Sequence, residues 1–182
     1  MNFCVWITGL PSSGKSTIAK ELDDLLSKAG VENVILSLDR IRKILTPDPT
    51  YTDDERELVY RSLAFMAQLL VEHSGKSIII DATGNRRRYR ELARELIPEF
   101  AEVYVACPVE ICKERESSRK GGFVQKDLYR KAAEGKLEGQ LPGVTTPYEA
   151  PENPEVMVAS DMLSPREAAR RVMEYIRSRW LD

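Results

Sequence analysis

The sequence predicts a three-layer α/β fold, a five-stranded parallel sheet with helices on both faces and a basic lid. Short, almost continuously apolar runs alternate with helical patterns, as expected for strands covered on both sides. The first apolar run leads directly into a glycine-rich loop and then a helix. One stretch in the second half, charged and glycine-containing, is too polar for a core.

The elements follow in order. Strands are expected at Phe3 to Thr8, Asn33 to Leu38, Ser77 to Ile80, Val103 to Ala106 and Val156 to Ala159. Helices are expected at Lys15 to Ala29, Ile41 to Leu45, Asp53 to His73, Arg87 to Ile97, Val109 to Glu116, Lys126 to Glu134 and Pro165 to Trp180. Two helix starts have local causes. Ser164, Pro165 and Glu167 form a capping box with proline at the first position, and Thr52 with Glu55 repeats the box at the long helix. The charged stretch from Lys113 to about residue 146 reads as a lid with its own short helix, so residues 1–182 are expected to form one domain.

Composition narrows the function. The chain has 182 residues, 42% hydrophobic and 31% charged, with a net charge of −2. That balance supplies no field for nucleic acid or an anionic membrane. No apolar run approaches the ~20 residues of a membrane span, and the N-terminus lacks a signal-peptide pattern. Three scattered cysteines suit a reducing cytoplasm rather than a disulfide framework, and a single histidine, His73, cannot build a His-based zinc site. Homodimerisation is left open.

Residues Gly9 to Thr17 read GLPSSGKST, the pattern G-x-x-x-x-G-K-[ST] between a strand and a helix. Gly9 and Gly14 permit backbone turns that aim successive N–H groups at one anion. Lys15 brings a mobile charge to the β- and γ-phosphates, and the Ser16 hydroxyl can coordinate Mg²⁺. The next helix adds its positive end. Gly9, Leu10, Pro11, Ser12, Ser13, Gly14, Lys15, Ser16 and Thr17, together with Arg115 farther along the chain, are the expected ATP site of a P-loop fold.

Ligands in such folds bind beyond the carboxyl ends of the strands. After the second strand, Asp39 and Arg42 share a helix face; the carboxylate can accept a proton from an attacking hydroxyl and the arginine can hold an anionic acceptor. After the third, Ser77 to Asp81 has the form of a metal-binding strand, with Asp81 on Mg²⁺ directly or through water. Arg86, Arg87, Arg88 and Arg90 follow; Arg87 and Arg90 are spaced to face one ligand. The lid offers Arg115, Arg119, Lys120, Lys126, Arg130 and Lys131, cations suited to excluding water over a triphosphate.

Several segments resemble the adenylylsulfate kinase family: GLPSSGKSTIA at Gly9 to Ala19, DRIR at Asp39 to Arg42, YTDDERELVYR at Tyr51 to Arg61, VYVACPVEICKER at Val103 to Arg115, DLYRKAAEGK at Asp127 to Lys136, and PYEAPENPEV at Pro147 to Val156. The last is the most specific. The resemblance implies transfer of the ATP γ-phosphate to the 3′-hydroxyl of adenosine 5′-phosphosulfate with Mg²⁺. It implies Asp39 as base or metal partner, Arg42, Arg56 and Tyr51 on the acceptor, Lys131 in the lid, and a lid from Arg115 to Tyr148. The chain departs from the family pattern at Ser37 (an aspartate in the family), Val59 (an asparagine) and Gly84 (a serine that some members phosphorylate). The Gly139 to Gly143 segment lacks the second clamping aromatic, and Ser117 to Gln125 is inserted. The DATGN stretch at Asp81 to Asn85 is similar to other small P-loop kinases. Two alternatives therefore stand: a kinase for another nucleotide conjugate or small hydroxyl acceptor, and a nucleotide-binding switch or hydrolase.

Overall fold

The computed structural model describes residues 1–118, 127–137 and 139–181. Five strands, β1 (Cys4–Gly9), β2 (Asn33–Ser37), β3 (Ser77–Asp81), β4 (Phe100–Ala106) and β5 (Val156–Ala159), form one parallel sheet in the order β2-β3-β1-β4-β5. The helices are α1 (Lys15–Lys28), α2 (Leu38–Leu45), α3 (Asp53–His73), α4 (Arg87–Leu96), α5 (Val109–Ser118), α6 (Leu128–Ala133) and α7 (Pro165–Ile176), followed by a π-helical segment, Arg177–Leu181.

The period of two along β1 sets the layers. Phe3, Val5 and Ile7 face one side, where Ile18, Leu22 and Leu26 of α1 and Ala169, Val172 and Ile176 of α7 bury them. Cys4 and Trp6 face the other, against Val59, Leu63 and Ala67 of α3 and Tyr89 and Ala93 of α4. Burial raises the Cys4 thiol pKa, so it stays a neutral core group. A third, smaller apolar cluster joins Cys112, Tyr129 and Leu141 with Leu10 of the glycine-rich loop.

Three boundaries differ from expectation for tertiary reasons. Leu38 belongs to α2 rather than β2, which puts Asp39 in the first helical turn; a short apolar run does not distinguish a buried helix start from a strand end. β4 begins at Phe100, because Cys4 pairs with Phe100 and Trp6 with Glu102, and the charge of Glu102 hides the strand in the sequence. The last α-helix stops at Ile176, where the backbone widens into π geometry so that Trp180 stacks on Phe3 with ring centroids 4.5 Å apart.

Ser164 forms the full capping box with Glu167. Thr52 caps α3 only by half. It accepts from Glu55 N–H, while the Glu55 carboxylate turns instead to Thr50 and Arg42.

The segment from Pro147 to Glu155 is a strap across α4, held by the arginines that follow β3. Arg87 donates to Ala150 O at 2.9 Å and pairs with Glu152 at 2.6 Å; Arg94 grips Glu155 with contacts of 2.6 and 2.8 Å. Burial pushes the Glu155 carboxyl up, but Arg94 and the Glu102 N–H outweigh that and hold it below its usual value. A depressed carboxyl contributes stability that is complete above its unfolded-state value, about 4.3, and is lost as pH falls through the lower folded value. Glu155→Gln should therefore be less stable than the parent at neutral pH, with the gap closing below about pH 4. Denaturant midpoints across that range check this; a gap independent of pH overturns it.

Candidate active site

All carboxyl ends of a parallel sheet lie on one edge, so the loops after β1, β2 and β3 meet there. They line a cleft of about 430 Å³. Its walls include Pro11, Ser12, Gly14, Lys15, Ser16 and Thr17 from the first loop, Asp39, Arg42 and Lys43 from α2, Tyr51, and Asp81 to Thr83 after β3. Leu128, Leu137, Gln140, Leu141 and Pro142 close the far side.

The glycine-rich loop is shaped for a phosphate chain. Gly14 caps α1 at φ 101°, a left-handed conformation that a side chain would strain. Ser13 N–H bonds to Leu10 O at 3.1 Å, closing the turn. Lys15 is 8% exposed, and its ammonium donates to Leu10 O at 2.8 Å across the loop mouth. Ser16 and Thr17 are exposed at the start of α1. Gly9, Leu10 and Ser13 lie behind this wall; a Cβ on Gly9 would meet Val105 O at 2.6 Å.

Arg115 braces the loop from α5. It donates to Ser13 O at 3.0 Å and to the Ser160 hydroxyl at 3.0 Å, while the Ser160 hydroxyl itself donates to Ser13 O at 2.6 Å. Tyr129 of α6 donates to Pro11 O at 2.8 Å, and the Glu116 carboxylate accepts the first N–H groups of α6. Spacing had marked neither Tyr129 nor Ser160, because both act on backbone more than a hundred residues away in sequence.

Asp81 and Asp39 approach each other through strand pairing. Asp81 is in register with Ile7 of β1 and Ser37 of β2, and Asp39 follows Ser37 by two residues. Adjacent strands are about 4.8 Å apart. Both carboxylates line the cleft with the Ser16 hydroxyl. These hard oxygen donors fit Mg²⁺, which takes one or two carboxylates and completes its shell with water and phosphate.

The acceptor wall is more constrained than its sequence suggests. Arg42 pairs with Glu55 at 3.0 Å and lies over the Tyr51 ring, 5.6 Å from its centroid. Burial pushes the Glu55 carboxyl up, but the Thr50 hydroxyl and N–H, Arg42 and the Tyr51 N–H together hold it below its ordinary value. Glu55 thus anchors both Arg42 and the loop bearing Tyr51, whose φ of 54° is itself strained. The Gly139 backbone packs on Tyr51 so closely that a Cβ there would come within 2.8 Å. Arg56 is buried, donates to Gln140 O at 2.8 Å, and does not line the cleft. Burial lowers its guanidinium pKa.

Two expectations are corrected. Arg87 sits outside the cleft and binds the strap. Arg90, its expected partner, is 2% exposed and bonds to Glu102, Gly84 O and Glu149 O. Arg86 and Arg88 pair with Glu149 and Glu57. Lys131 lies on α6 and is not among the cleft residues, while Arg119, Lys120 and Lys126 fall outside the described residues. The departures from the family pattern have local reasons. Val59 is a core residue, and Gly84, at φ 53°, has Trp6 and Arg90 within 3.0 and 3.1 Å of any added Cβ.

The sequence model of the adenylylsulphate kinase family matches residues 1–159. The chain belongs to the adenylylsulphate kinase family. It is 36% identical over 180 residues to the adenylyl-sulfate kinase of Thermodesulfovibrio yellowstonii, covering 98% of this chain and 85% of that one. The probable adenylyl-sulfate kinase of Pyrococcus abyssi is 38% identical over 171 residues, covering 94% and 92%. Among solved structures, the APS kinase CysC of Mycobacterium tuberculosis, in complex with AMPPNP and APS, superposes with a TM-score of 0.83 at 28% identity, covering 97% and 98%. The kinase family, its P-loop fold and its use of ATP with Mg²⁺ therefore apply to this chain.

Proposed function

We propose that the protein transfers the γ-phosphate of ATP to the 3′-hydroxyl of adenosine 5′-phosphosulfate, giving 3′-phosphoadenosine 5′-phosphosulfate and ADP. The observation that carries this reading is one cleft in which a phosphate loop and two strand-end carboxylates meet, on a chain of this family. The loop N–H groups and Lys15 hold the phosphates. Mg²⁺, when bound, neutralises phosphate charge; Ser16 and Asp81 are the residues to hold it. Asp81 supplies from β3 the carboxylate that the family pattern carries at Ser37, its register partner. Asp39 faces the acceptor and takes the proton of its hydroxyl. The hydroxyl oxygen bonds to the γ-phosphorus as the bond to the β-bridging oxygen breaks. Arg42 and Tyr51 form the acceptor side, with Arg56 supporting it from behind through Gln140 O, and the segment around residues 113–146 acts as a lid on a single kinase domain.

Three free cysteines support a cytoplasmic location. No helix among the described residues is long and apolar enough to cross a membrane. The exposed apolar residues Leu58, Phe65 and Leu69 along α3 support homodimerisation.

The test is ATP consumption with adenylylsulfate beside other nucleotide conjugates, with products identified by mass. ATP turnover unaffected by any acceptor supports a hydrolase instead. Asp39→Asn is expected to reduce turnover with little change in the KM for ATP, because proton transfer matters only during reaction. Asp81→Asn should instead raise the Mg²⁺ requirement. Steady-state kinetics across a Mg²⁺ series separate the two, and swapped phenotypes reverse the roles.

A further inference from the structure

The peptide that joins Ser13 to Gly14 is held from behind the cleft wall. Gly14 is on that wall, whereas Ser13 is fully buried. Ser13 O accepts two bonds, from Arg115 Nη1 at 3.0 Å and from the Ser160 hydroxyl at 2.6 Å, and neither donor lines the cleft. Ser160 comes directly after β5, at the same sheet edge as the loop, and its N–H is fixed on Ala106 O of β4 at 2.9 Å. Its neighbours settle where its hydroxyl proton goes. Arg115 can only donate, and it donates to the Ser160 hydroxyl at 3.0 Å and to Ser160 O. The single hydroxyl proton is thereby left for Ser13 O. Arg115 Nη1 is divided among Ser13 O, that hydroxyl and the Cys107 sulfur at 3.6 Å, so Ser160 is the closer and undivided donor.

A trans peptide is planar, with its C=O and N–H on opposite sides. Fixing Ser13 O toward β5 and α5 therefore turns the Gly14 N–H the other way, toward the phosphate side of the loop. Gly14 is the N-cap residue of α1, so this N–H stands at the positive end of that helix. A donor bonded to the carbonyl also polarises the peptide and strengthens its N–H as a donor. Tyr129 holds Pro11 O at 2.8 Å and so governs a different N–H, that of Ser12. We infer that Ser160 is a positioning residue for nucleotide binding, whose hydroxyl aims the Gly14 N–H at a phosphate of the nucleotide. This rests on the use of ATP by the chain and is independent of which acceptor receives the phosphate.

The test is calorimetric titration of ADP with Mg²⁺ into the parent, Ser160→Ala and Ser160→Thr, beside amide proton spectra of the same proteins. In the parent, ADP should move the Gly14 amide proton downfield as its bond to phosphate forms. In Ser160→Ala the Kd for ADP should rise about three- to tenfold, the scale of one neutral hydrogen bond. The Gly14 shift should shrink, while the Ser12 amide, governed through Tyr129, keeps its own. Ser160→Thr returns the hydroxyl and should restore both values. Lost packing alone would lower thermal unfolding without this pattern. Should Ser160→Ala not fold, Ser160→Cys, with a weaker donor at the same place, is read instead. An unchanged Kd or an unchanged Gly14 shift overturns the assignment, as does an equal change at Ser12 or a loss that Ser160→Thr leaves unreversed.

Discussion

Lys15→Ala should lower phosphoryl transfer by about 10²–10³-fold, the usual loss when one charge-stabilising group is removed from a transferring centre. The fold should survive. Lys15 stands at the first position of α1, where alanine is the best helix former, and the turn before it is closed by Gly14 and the Ser13–Leu10 bond. The structure adds a reason for the size of the effect. Lys15 is almost buried, with its ammonium on Leu10 O, so its charge acts in a site largely screened from water. Swinging from that carbonyl to the phosphates requires only a side-chain rotation. Initial rates with the proposed acceptor, beside thermal unfolding of the same preparation, check the result. Turnover near the parent rate with normal unfolding would show that the loop does not act on the γ-phosphate.

The second large effect concerns stability. Arg90→Met should destabilise the protein by about 3–5 kcal/mol, because it leaves the Glu102 carboxylate buried without its closest cation. Glu102 keeps only Arg94, at 3.8 Å. The Gly84 and Glu149 carbonyls lose a donor in the same step. For a chain of this length that loss corresponds to a melting temperature lower by on the order of 10 °C. Arg90→Met with Glu102→Leu should recover much of it, since a buried pair replaced whole by apolar groups costs far less than one broken in half. An arginine that served the acceptor would behave differently, keeping its stability and raising the acceptor KM. Unfolding midpoints of the single and double variants decide between the two roles.

Arg90 also shows where local sequence stops being informative. Four arginines directly after a strand end look like an anion site, since strand ends carry ligands. Their partners, Glu149, Glu152, Glu57 and Glu102, sit 12 to 65 positions away. An ion pair across that distance leaves no periodicity for a sequence window to detect. The PYEAPENPE strap, the segment most specific to the family, owes at least part of its acidic character to this contact with α4.

Glu55 makes the same point on a smaller scale. Its spacing from Thr52 announced a capping box, and the Thr52 half of the box formed. The carboxylate went instead to Thr50 and Arg42, because two donors of the acceptor loop and the Arg42 guanidinium outcompete one N-cap N–H.

What the sequence by itself determined is what depends on contiguous residues. The loop from Gly9 to Thr17 is such a case, since its conformation follows from glycine positions and the strand and helix on either side. The order of strands and helices and the cap at Ser164 are likewise written in local spacing. The two carboxylates were also legible, because a polar residue ending an apolar run stands out. Tertiary structure alone decided which residues share the cleft. Sheet register brought Asp81 beside Ser37 and so toward Asp39. Helix packing turned Lys43 to the cleft and left Arg56 behind it, and the strap drew Arg87 and Arg90 away. The physical reason is that backbone conformation is set within a few residues, whereas burial and charge pairing are settled only when distant elements meet.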